Sequence, residues 1–456
     1  MKKESFVYAG ATTLALAMGI GLWTVSQADP PSRPKVPALQ YDPTFPKPLP
    51  AGTAFGNGCY TTGVGNTTNS PTSCVSSATG QPKPWVMGEV AGTCVDSQDH
   101  VFTVNRAQLI SPETVTAISS PTVIEFDQDG NVVNAWNVQA KDINGAFVTV
   151  QQSNIHGCFV DYQDNIWIGG NGRGVEVKYS HDGSTWLNQI GVYGLCDNPP
   201  LNTTCGNSGG NPAANQSHTL LNEPANVWVD PAPDPVTNKR GSVYVADGYG
   251  NHRIVVFQDN GNGTVTYLRQ WPKDNTVAST VNNPLTDQVA YFAAGDGGHP
   301  HCVVGGNDRF IYACDRGDDR IQVFDKMLNA PPVRVIAVVP GTGVTQGIGG
   351  APGLGTAGSA WDLRFTNDAA QTYFFEIDGG NEIMHTMERA TGAIVADLGQ
   401  PGHEGGTQFT FLHSNTVDSK GNVYTGETIN GRRIQKFLHV ECNNGNGKGN
   451  GNGNCS

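Results

Sequence analysis

Hydrophobic and polar residues alternate in short runs along most of the chain, and the runs are bounded by Gly, Asn and Asp. Runs such as Asn165-Ile-Trp-Ile168 and Arg253-Ile-Val-Val-Phe257 are rich in β-branched and aromatic residues. Both features are typical of β-strands separated by tight turns. Helical apolar periodicity persists nowhere for more than a turn or two. The pattern therefore predicts an all-β fold.

A motif of four short strands recurs six times, and its first strand often ends in Val-Asp. The copies align, at steps of 65, 69, 75, 59 and 54 residues, on Val95, Val160, Val229, Val304, Leu363 and Val417. Four-stranded units at such spacing are typical of propeller blades with inserted loops, and closing them into a ring removes exposed edges. A pair of β-sandwiches is the alternative, but it does not explain six matching copies. We predict a six-bladed β-propeller over residues 85–441.

Composition supports this class and marks the flanking segments. The 58 Gly and 28 Pro make up about a fifth of the 456 residues, which is too much turn chemistry for a helical protein. Eight Pro fall between Asp29 and Pro50, and an Asn/Gly string closes the sequence. We predict a Pro-rich linker and Cys-tethered segment at 29–84, and a flexible tail at 442–456.

Residues 1–28 have the pattern of a cleavable signal peptide: Lys2 and Lys3, an apolar run, and small residues before a cleavage site after Ala28. An uncleaved membrane anchor is the alternative, which the Gly, Thr and Ala content of the run disfavours. We expect a secreted or periplasmic protein with no membrane contact after cleavage. Removing this segment changes the net charge from −13 to −14, which argues against nucleic acid or an anionic membrane as a partner.

All ten cysteines lie beyond the signal segment. An even number in an exported chain favours disulfides over metal thiolates. Three pairs are close in sequence: Cys59–Cys74, Cys196–Cys205 and Cys442–Cys455. Cys302 and Cys314 flank a hairpin turn symmetrically, so they are expected to face each other across two strands. Cys94 and Cys158 remain as a pair by elimination.

Three histidines occupy the same slot in alternate repeats. His156 and His413 stand four residues before the aligned position, and His301 stands three before it, in blades 2, 4 and 6. The slot in blades 1, 3 and 5 is assigned to the small residues Ala91, Ala225 and Ser359. Alternate blades of a six-fold ring lie about 120° apart, so the imidazoles are expected to converge on the axis. A single His is more often a surface or core residue, but this regular placement favours a metal site, and three imidazoles with an open fourth position typify catalytic zinc.

Arg106 and Arg316 end the second strands of blades 1 and 4, which face each other across the ring, and Tyr249 lies one residue further along in blade 3. Two guanidinium groups suit a substrate with a carboxylate or carbonyl group. A Tyr beside a metal and an Arg is expected to have a lowered pKa and to act as a base. For each Arg alone, an inter-blade salt bridge is the alternative.

These residues resemble the lyase domain of peptidylglycine α-amidating enzymes, a six-bladed propeller of NHL-type repeats, over about residues 85 to 438. The most specific stretch is Val243-Tyr-Val-Ala-Asp-Gly-Tyr-Gly-Asn-His-Arg-Ile254. The resemblance implies zinc on His156, His301 and His413, with Tyr249 as base and Arg106 and Arg316 on the substrate. It implies cleavage of a peptidyl-α-hydroxyglycine to a peptide amide and glyoxylate.

Two points qualify what the resemblance implies. The family usually has Asp after the third His, where it helps to hold calcium, and Ser414 stands there in this chain, which argues against a calcium ion.

A propeller scaffold alone supports no activity, so two other functions stay open. One is a metal-dependent hydrolase such as a lactonase, although carboxylates, its usual ligands, do not recur in the His slot. The other is a non-enzymatic binding module. The expected ligand is a small molecule or peptide C-terminus with a carboxylate, and the sequence identifies no protein partner.

Overall fold

The computed structural model describes residues 35–53, 74–106, 109–111, 113–151, 155–206, 215–273, 292, 300–328, 330–338 and 358–440. The predicted signal peptide and the Asn/Gly-rich tail lie outside this part. The described residues from Val36 onward form one compact unit. Among the described residues, no helix has the length and hydropathy needed to cross a membrane.

Six four-stranded antiparallel sheets follow one another along the chain, which confirms the all-β propeller. Blade 1 consists of Glu89–Val95, Val101–Arg106, Val123–Phe126 and Val132–Trp136. Blade 2 consists of Ile155–Val160, Ile166–Gly170, Val175–Tyr179 and Trp186–Gly191. Blade 3 consists of Pro224–Asp230, Ser242–Asp247, Arg253–Asp259 and Val265–Trp271. Blade 4 consists of Pro300–Gly305, Phe310–Asp315, Arg320–Asp325 and Arg334–Ala337. Blade 5 consists of Ala360–Phe365, Tyr373–Asp378, Ile383–Glu388 and Ile394–Leu398. Blade 6 consists of Leu412–Val417, Val423–Glu427, Arg433–Val440 and, from the N-terminal side of the chain, Ala38–Tyr41.

The remaining elements connect or flank the blades. Three two-stranded pairs are Trp85–Val86 with Ile118–Ser119, Gln139–Lys141 with Phe147–Thr149, and Gln400–Pro401 with Gln408–Phe409. The short helical turns are the α-helix Glu113–Thr116 and the 3₁₀ turns Asn171–Arg173 and Arg316–Asp318. Each blade's first strand contacts the first strand of the next blade, and blade 6 contacts blade 1 in the same way. The ring is therefore closed.

Closure of the ring uses a short strand that lies in the segment predicted to be a Pro-rich linker. Ala38–Tyr41 pairs antiparallel with the last strand of the described chain, Arg433–Val440, as the outer strand of blade 6. Phe45 is buried, with its ring centroid 5.7 Å from Phe126 and 5.2 Å from Tyr424. The prediction of a linker is thus wrong for these residues, which belong to blade 6 and its core. The surrounding prolines argue against a strand in the sequence. The strand has only four residues, and it forms by pairing with blade 6.

The core lies between neighbouring blades, because the inner strands carry apolar side chains on both faces. Val243, Val245 and Val255 of blade 3 are fully buried and pack together with Trp167 of blade 2. Burying one such side chain contributes about 1.5–3 kcal/mol. This packing fixes each first strand against its neighbour and so holds the channel-facing residues in place.

Three predicted disulfides are confirmed. Cys196–Cys205 closes a loop, Cys302–Cys314 joins directly paired positions in blade 4, and Cys94–Cys158 joins the first strands of blades 1 and 2. Cys74 is also disulfide-bonded. Its predicted partner Cys59 and the predicted pair Cys442–Cys455 lie outside the described residues.

Candidate metal centre

A register shift interrupts the pairing of the first and second strands at the same place in every blade. The shifts fall at Ala91, at His156-Gly157, and at Ala225, His301, Trp361 and His413. A β-bulge bends a strand and re-aims the side chain at that point. In blades 2, 4 and 6 the re-aimed side chain is the predicted histidine.

The three imidazoles meet on the axis of the ring. Their centroids are 5.0 Å apart for His156 and His301, 4.8 Å for His156 and His413, and 4.9 Å for His301 and His413. One nitrogen from each ring lies within 4.8 Å of the other two, and the residues are only 1%, 2% and 4% exposed. Three imidazoles in a near-equilateral arrangement, each offering one nitrogen, match the donor set of a tetrahedral zinc site with an open fourth position.

The residue at the bulge of blade 5 is Trp361, so the assignment of Ser359 to this slot is wrong. The repeat alignment used Leu363 as the reference in blade 5, whereas counting from the bulge gives Phe365 as the equivalent of Val160. A one-sequence alignment does not distinguish between two apolar residues on the same face of a strand. The indole lies close to two of the imidazoles, 5.6 Å from His301 and 5.5 Å from His413 between centroids. Alternate slots thus do not all hold small residues.

A backbone carbonyl of the next blade orients one of the imidazoles. His301 Nδ1 lies 2.6 Å from the carbonyl oxygen of Trp361, at the bulge of the next blade. Nδ1 of His156 and Nδ1 of His413 are buried and have no hydrogen-bond partner among the described residues. A carbonyl beside Nδ1 favours the tautomer in which Nε2 is the free donor of electrons to a metal.

Burial lowers the pKa of all three histidines well below the ordinary histidine value. Positive groups nearby lower it further: Arg106 acts on each imidazole, and Arg316 acts on His301 and His413. The imidazoles are therefore neutral at pH 7, which is the form that binds a metal ion.

Tyr249 brings its hydroxyl to the nitrogen triangle. The Oη atom lies 2.9 Å from His301 Nε2 and 3.2 Å from His156 Nε2, and it accepts a hydrogen bond of 2.9 Å from Arg316 Nη1. The Arg316 guanidinium carbon lies 4.6 Å from the Trp361 ring centroid and 5.4 Å from that of Tyr249. Stacking between two aromatic rings fixes the guanidinium beside the imidazoles.

Arg106 reaches the same region from blade 1. It donates from Nε to the Ile155 carbonyl at 2.8 Å, and its Nη1 lies 3.4 Å from Glu89. The Ile155 contact joins blades 1 and 2, but the ion pair with Glu89 lies within blade 1, so the alternative of an inter-blade salt bridge does not hold for Arg106. Its charge acts on all three histidines. All six predicted site residues therefore lie around one point, and Trp361 is the residue that the sequence analysis missed.

The space directly beneath the imidazoles does not fit calcium. A small cavity there is lined by Thr93, Asp362, Arg364 and Ser414 as well as the histidines. Asp362 is the one carboxylate in this lining, and it accepts a hydrogen bond of 2.7 Å from Arg364. Calcium takes six to eight oxygen ligands and needs uncompensated carboxylates. The imidazole triangle, by contrast, fits zinc.

Comparison with known proteins supports the repeat. Residues 236–257 match the NHL repeat, which covers the second strand and much of the third strand of blade 3. The similar solved structures include a streptogramin B lyase (12% identity over 78% of this chain and 85% of that chain, TM-score 0.39). Virginiamycin B lyase from Staphylococcus aureus shares 9% identity over 77% of this chain and 84% of that one, with a TM-score of 0.38. The WD40 β-propeller domain of Doa1 shares 7% identity over 77% and 79%, with a TM-score of 0.40. The curated proteins give no match.

Proposed function

We propose that this protein is a secreted, zinc-dependent lyase that cleaves the N–Cα bond of peptidyl-α-hydroxyglycine-type substrates to give an amide and glyoxylate. The observation that carries the proposal is the position of Tyr249 Oη, within 3.2 Å of two imidazole Nε2 atoms and bonded to Arg316. A tyrosine hydroxyl, three imidazoles and a guanidinium thus lie around one point. The three disulfides support an oxidising compartment and hence export.

His156, His301 and His413 would hold the zinc ion, which would supply Lewis acidity toward the substrate hydroxyl when bound. Tyr249 Oη lies beside that position and would take the hydroxyl proton. The electron pair of the O–H bond would then form the aldehyde C=O as the N–Cα bond breaks. Protonation of the departing nitrogen completes the amide, so the reaction needs no water.

The arginines would position the substrate. Arg316 is held between Trp361 and Tyr249, with Nη1 on the Tyr249 hydroxyl. A guanidinium fixed in this way suits the carboxylate of the hydroxyglycine unit and lies where negative charge develops on oxygen. Arg106 would supply the second positive charge across the ring.

The test is zinc content and glyoxylate release from α-hydroxyhippurate by the purified protein. The Tyr249→Phe, Arg316→Ala double variant should keep zinc and lose activity, whereas the matched control Tyr162→Phe, at an exposed position, should keep both. Full activity in the double variant would overturn the mechanism. Zinc on the histidines with no turnover of any hydroxyglycine substrate would favour a binding module.

A further inference from the structure

A second cluster of metal-binding side chains lies at the other end of the inner strand of blade 1. Asp96 directly follows that strand, His100 precedes the second strand, and Glu125 lies in the third. One ligand atom from each lies within 4.8 Å of the other two. His181, which follows the third strand of blade 2, lies beside this group, with Nε2 2.6 Å from Asp96 Oδ2. Five residues of extended strand separate this place from the slot of Ala91, which is about 16 Å, so it is distinct from the histidine trio.

We infer that Asp96, His100, Glu125 and His181 bind a divalent cation of the zinc class between blades 1 and 2. His100 Nδ1 lies 2.7 Å from Glu125 Oε1 and 3.8 Å from Asp96 Oδ2. Bonds of about 2.0 Å to a tetrahedral ion put neighbouring ligand atoms about 3.3 Å apart. These two distances and the 2.6 Å between His181 Nε2 and Asp96 Oδ2 bracket that value, so these three donor pairs need only small side-chain movements to bind one ion.

Hydrogen bonds and a ring contact fix the Asp96 and His181 side chains. Asp96 Oδ1 accepts the backbone N–H groups of Gln98 and His100, each at 2.8 Å, which leaves Oδ2 for His181. The His181 ring also makes an edge contact with the buried Phe102, at 5.6 Å between centroids. Asp96 and Glu125 are buried, whereas the His100 side chain is 25% exposed and that of His181 is 32% exposed. The buried carboxylates provide charge, and the exposed imidazoles provide a path of entry.

The Asp that follows or ends the first strand has a different partner in blade 1 than in blade 3. There Asp230 ends the first strand, and Lys326, just after the third strand of blade 4, lies 2.7 Å from it. A lysine ammonium thus neutralises the Asp between blades 3 and 4. Between blades 1 and 2 the same position holds His181, and His100 and Glu125 add a second imidazole and a second carboxylate. Two neutral imidazoles and two carboxylates form a neutral site with a divalent ion. The ion would join the two blades next to the Cys94–Cys158 disulfide.

The experiment is a zinc titration of metal-stripped protein, repeated with Co²⁺ for its visible spectrum, in variants that separate the two sites. The wild type should bind two equivalents of Zn²⁺. The His156→Ala, His301→Ala variant, which breaks the trio, should retain one equivalent, and adding His181→Lys should remove it. His181→Lys restores the charge arrangement of blade 3, so it keeps the inter-blade ion pair and removes only the metal ligand. Glu125→Gln in the same background should weaken zinc binding at least tenfold, whereas His439→Ala, at an exposed position, should have no effect.

Two results would overturn this inference. One is a trio variant that is folded by circular dichroism and binds no zinc. The other is unchanged zinc binding, relative to the trio variant, in both the His181→Lys and the Glu125→Gln proteins. Neither readout depends on lyase activity, so this site and the proposed function succeed or fail separately.

Discussion

The carbonyl oxygen of Trp361 lies 2.6 Å from His301 Nδ1, while the indole ring of the same residue lies 4.6 Å from the guanidinium of Arg316. Trp361 therefore contacts both a candidate metal ligand and a candidate substrate-binding residue. Its backbone carbonyl contacts the imidazole, and its indole ring makes a cation–π contact with the arginine. The two effects are separable by mutation because a substitution keeps the carbonyl.

Replacing Trp361 by Leu should leave zinc content unchanged and lower kcat/KM about tenfold. The expected loss follows from removing a partly buried cation–π contact of about 1–2 kcal/mol that positions Arg316. Steady-state kinetics with α-hydroxyhippurate and metal analysis of the same preparation measure both quantities. Trp186→Leu is the matched control, since it removes a cation–π contact with Lys141 (3.8 Å) at another place in the ring. Loss of zinc in Trp361→Leu with no change in the control would mean that the indole, not only the carbonyl, holds the histidines.

Replacing Tyr249 by Phe removes the hydroxyl that lies between two imidazoles and Arg316. We expect kcat to fall 10²–10⁴-fold, the usual contribution of a positioned acid or base. The zinc content should stay at the wild-type value, because the three nitrogens remain. A Tyr249→Phe protein with wild-type kcat would assign the proton transfer to another group.

The lowered pKa values of His156, His301 and His413 predict how metal-free protein responds to acid. The unfolded chain has ordinary histidines near pH 6.5, so between the lowered folded pKa and 6.5 the unfolded state binds more protons. Stability must then fall as the pH drops below about 6.5. Tm of metal-stripped protein, measured from pH 7.5 to 5, should fall more steeply than Tm of the His156→Asn, His301→Asn, His413→Asn variant.

His385 provides a control of opposite sign. Burial lowers its pKa, but hydrogen bonds to Asp378 and Asp397 outweigh burial and raise the pKa overall. Its stabilising effect is complete below pH 6.5 and is lost as pH rises through the raised value. His385→Asn should therefore lower Tm more at pH 5.5 than at pH 8.5. For the trio, parallel pH profiles of Tm in the His156→Asn, His301→Asn, His413→Asn variant and in the wild type would contradict the explanation by burial.

The Cys94–Cys158 disulfide should contribute more stability than Cys196–Cys205. It spans 64 residues against 9, and loop-closure entropy predicts about 4 against about 2.5 kcal/mol. Replacing each pair by Ala and measuring Tm at one scan rate compares them directly. A smaller effect for the 94/158 pair than for the 196/205 pair would show that the ring already holds blades 1 and 2 together without the bond.

The histidine trio was predictable because the repeat places equivalent residues at equivalent points of a closed ring. His156, His301 and His413 needed only the period and the number of blades. The tyrosine and the two arginines followed from the same register. Trp361 was not predictable in this way, because a bulge shifts the register locally and one sequence gives no signal of where blade 5 bulges.

Two further features depend on partners that are remote in sequence. Ala38–Tyr41 is a strand only because Arg433–Val440 offers it an edge. His181 lies beside Asp96 only because blades 1 and 2 are adjacent, although 85 residues separate the two in the chain. Local propensity describes neither contact. The alternation of apolar residues therefore predicts blades, while contacts between blades emerge only from the closed ring.

The central claim is that zinc-loaded protein is an amidating-type lyase, and the most direct measurement is the product analysis of one reaction. Purified protein with its zinc content determined is incubated with α-hydroxyhippurate, and benzamide and glyoxylate are quantified over time. We expect equimolar benzamide and glyoxylate from the wild type, and neither product above background from the Tyr249→Phe, Arg316→Ala double variant. Zinc-loaded wild-type protein that forms neither product above background would contradict the proposed lyase activity.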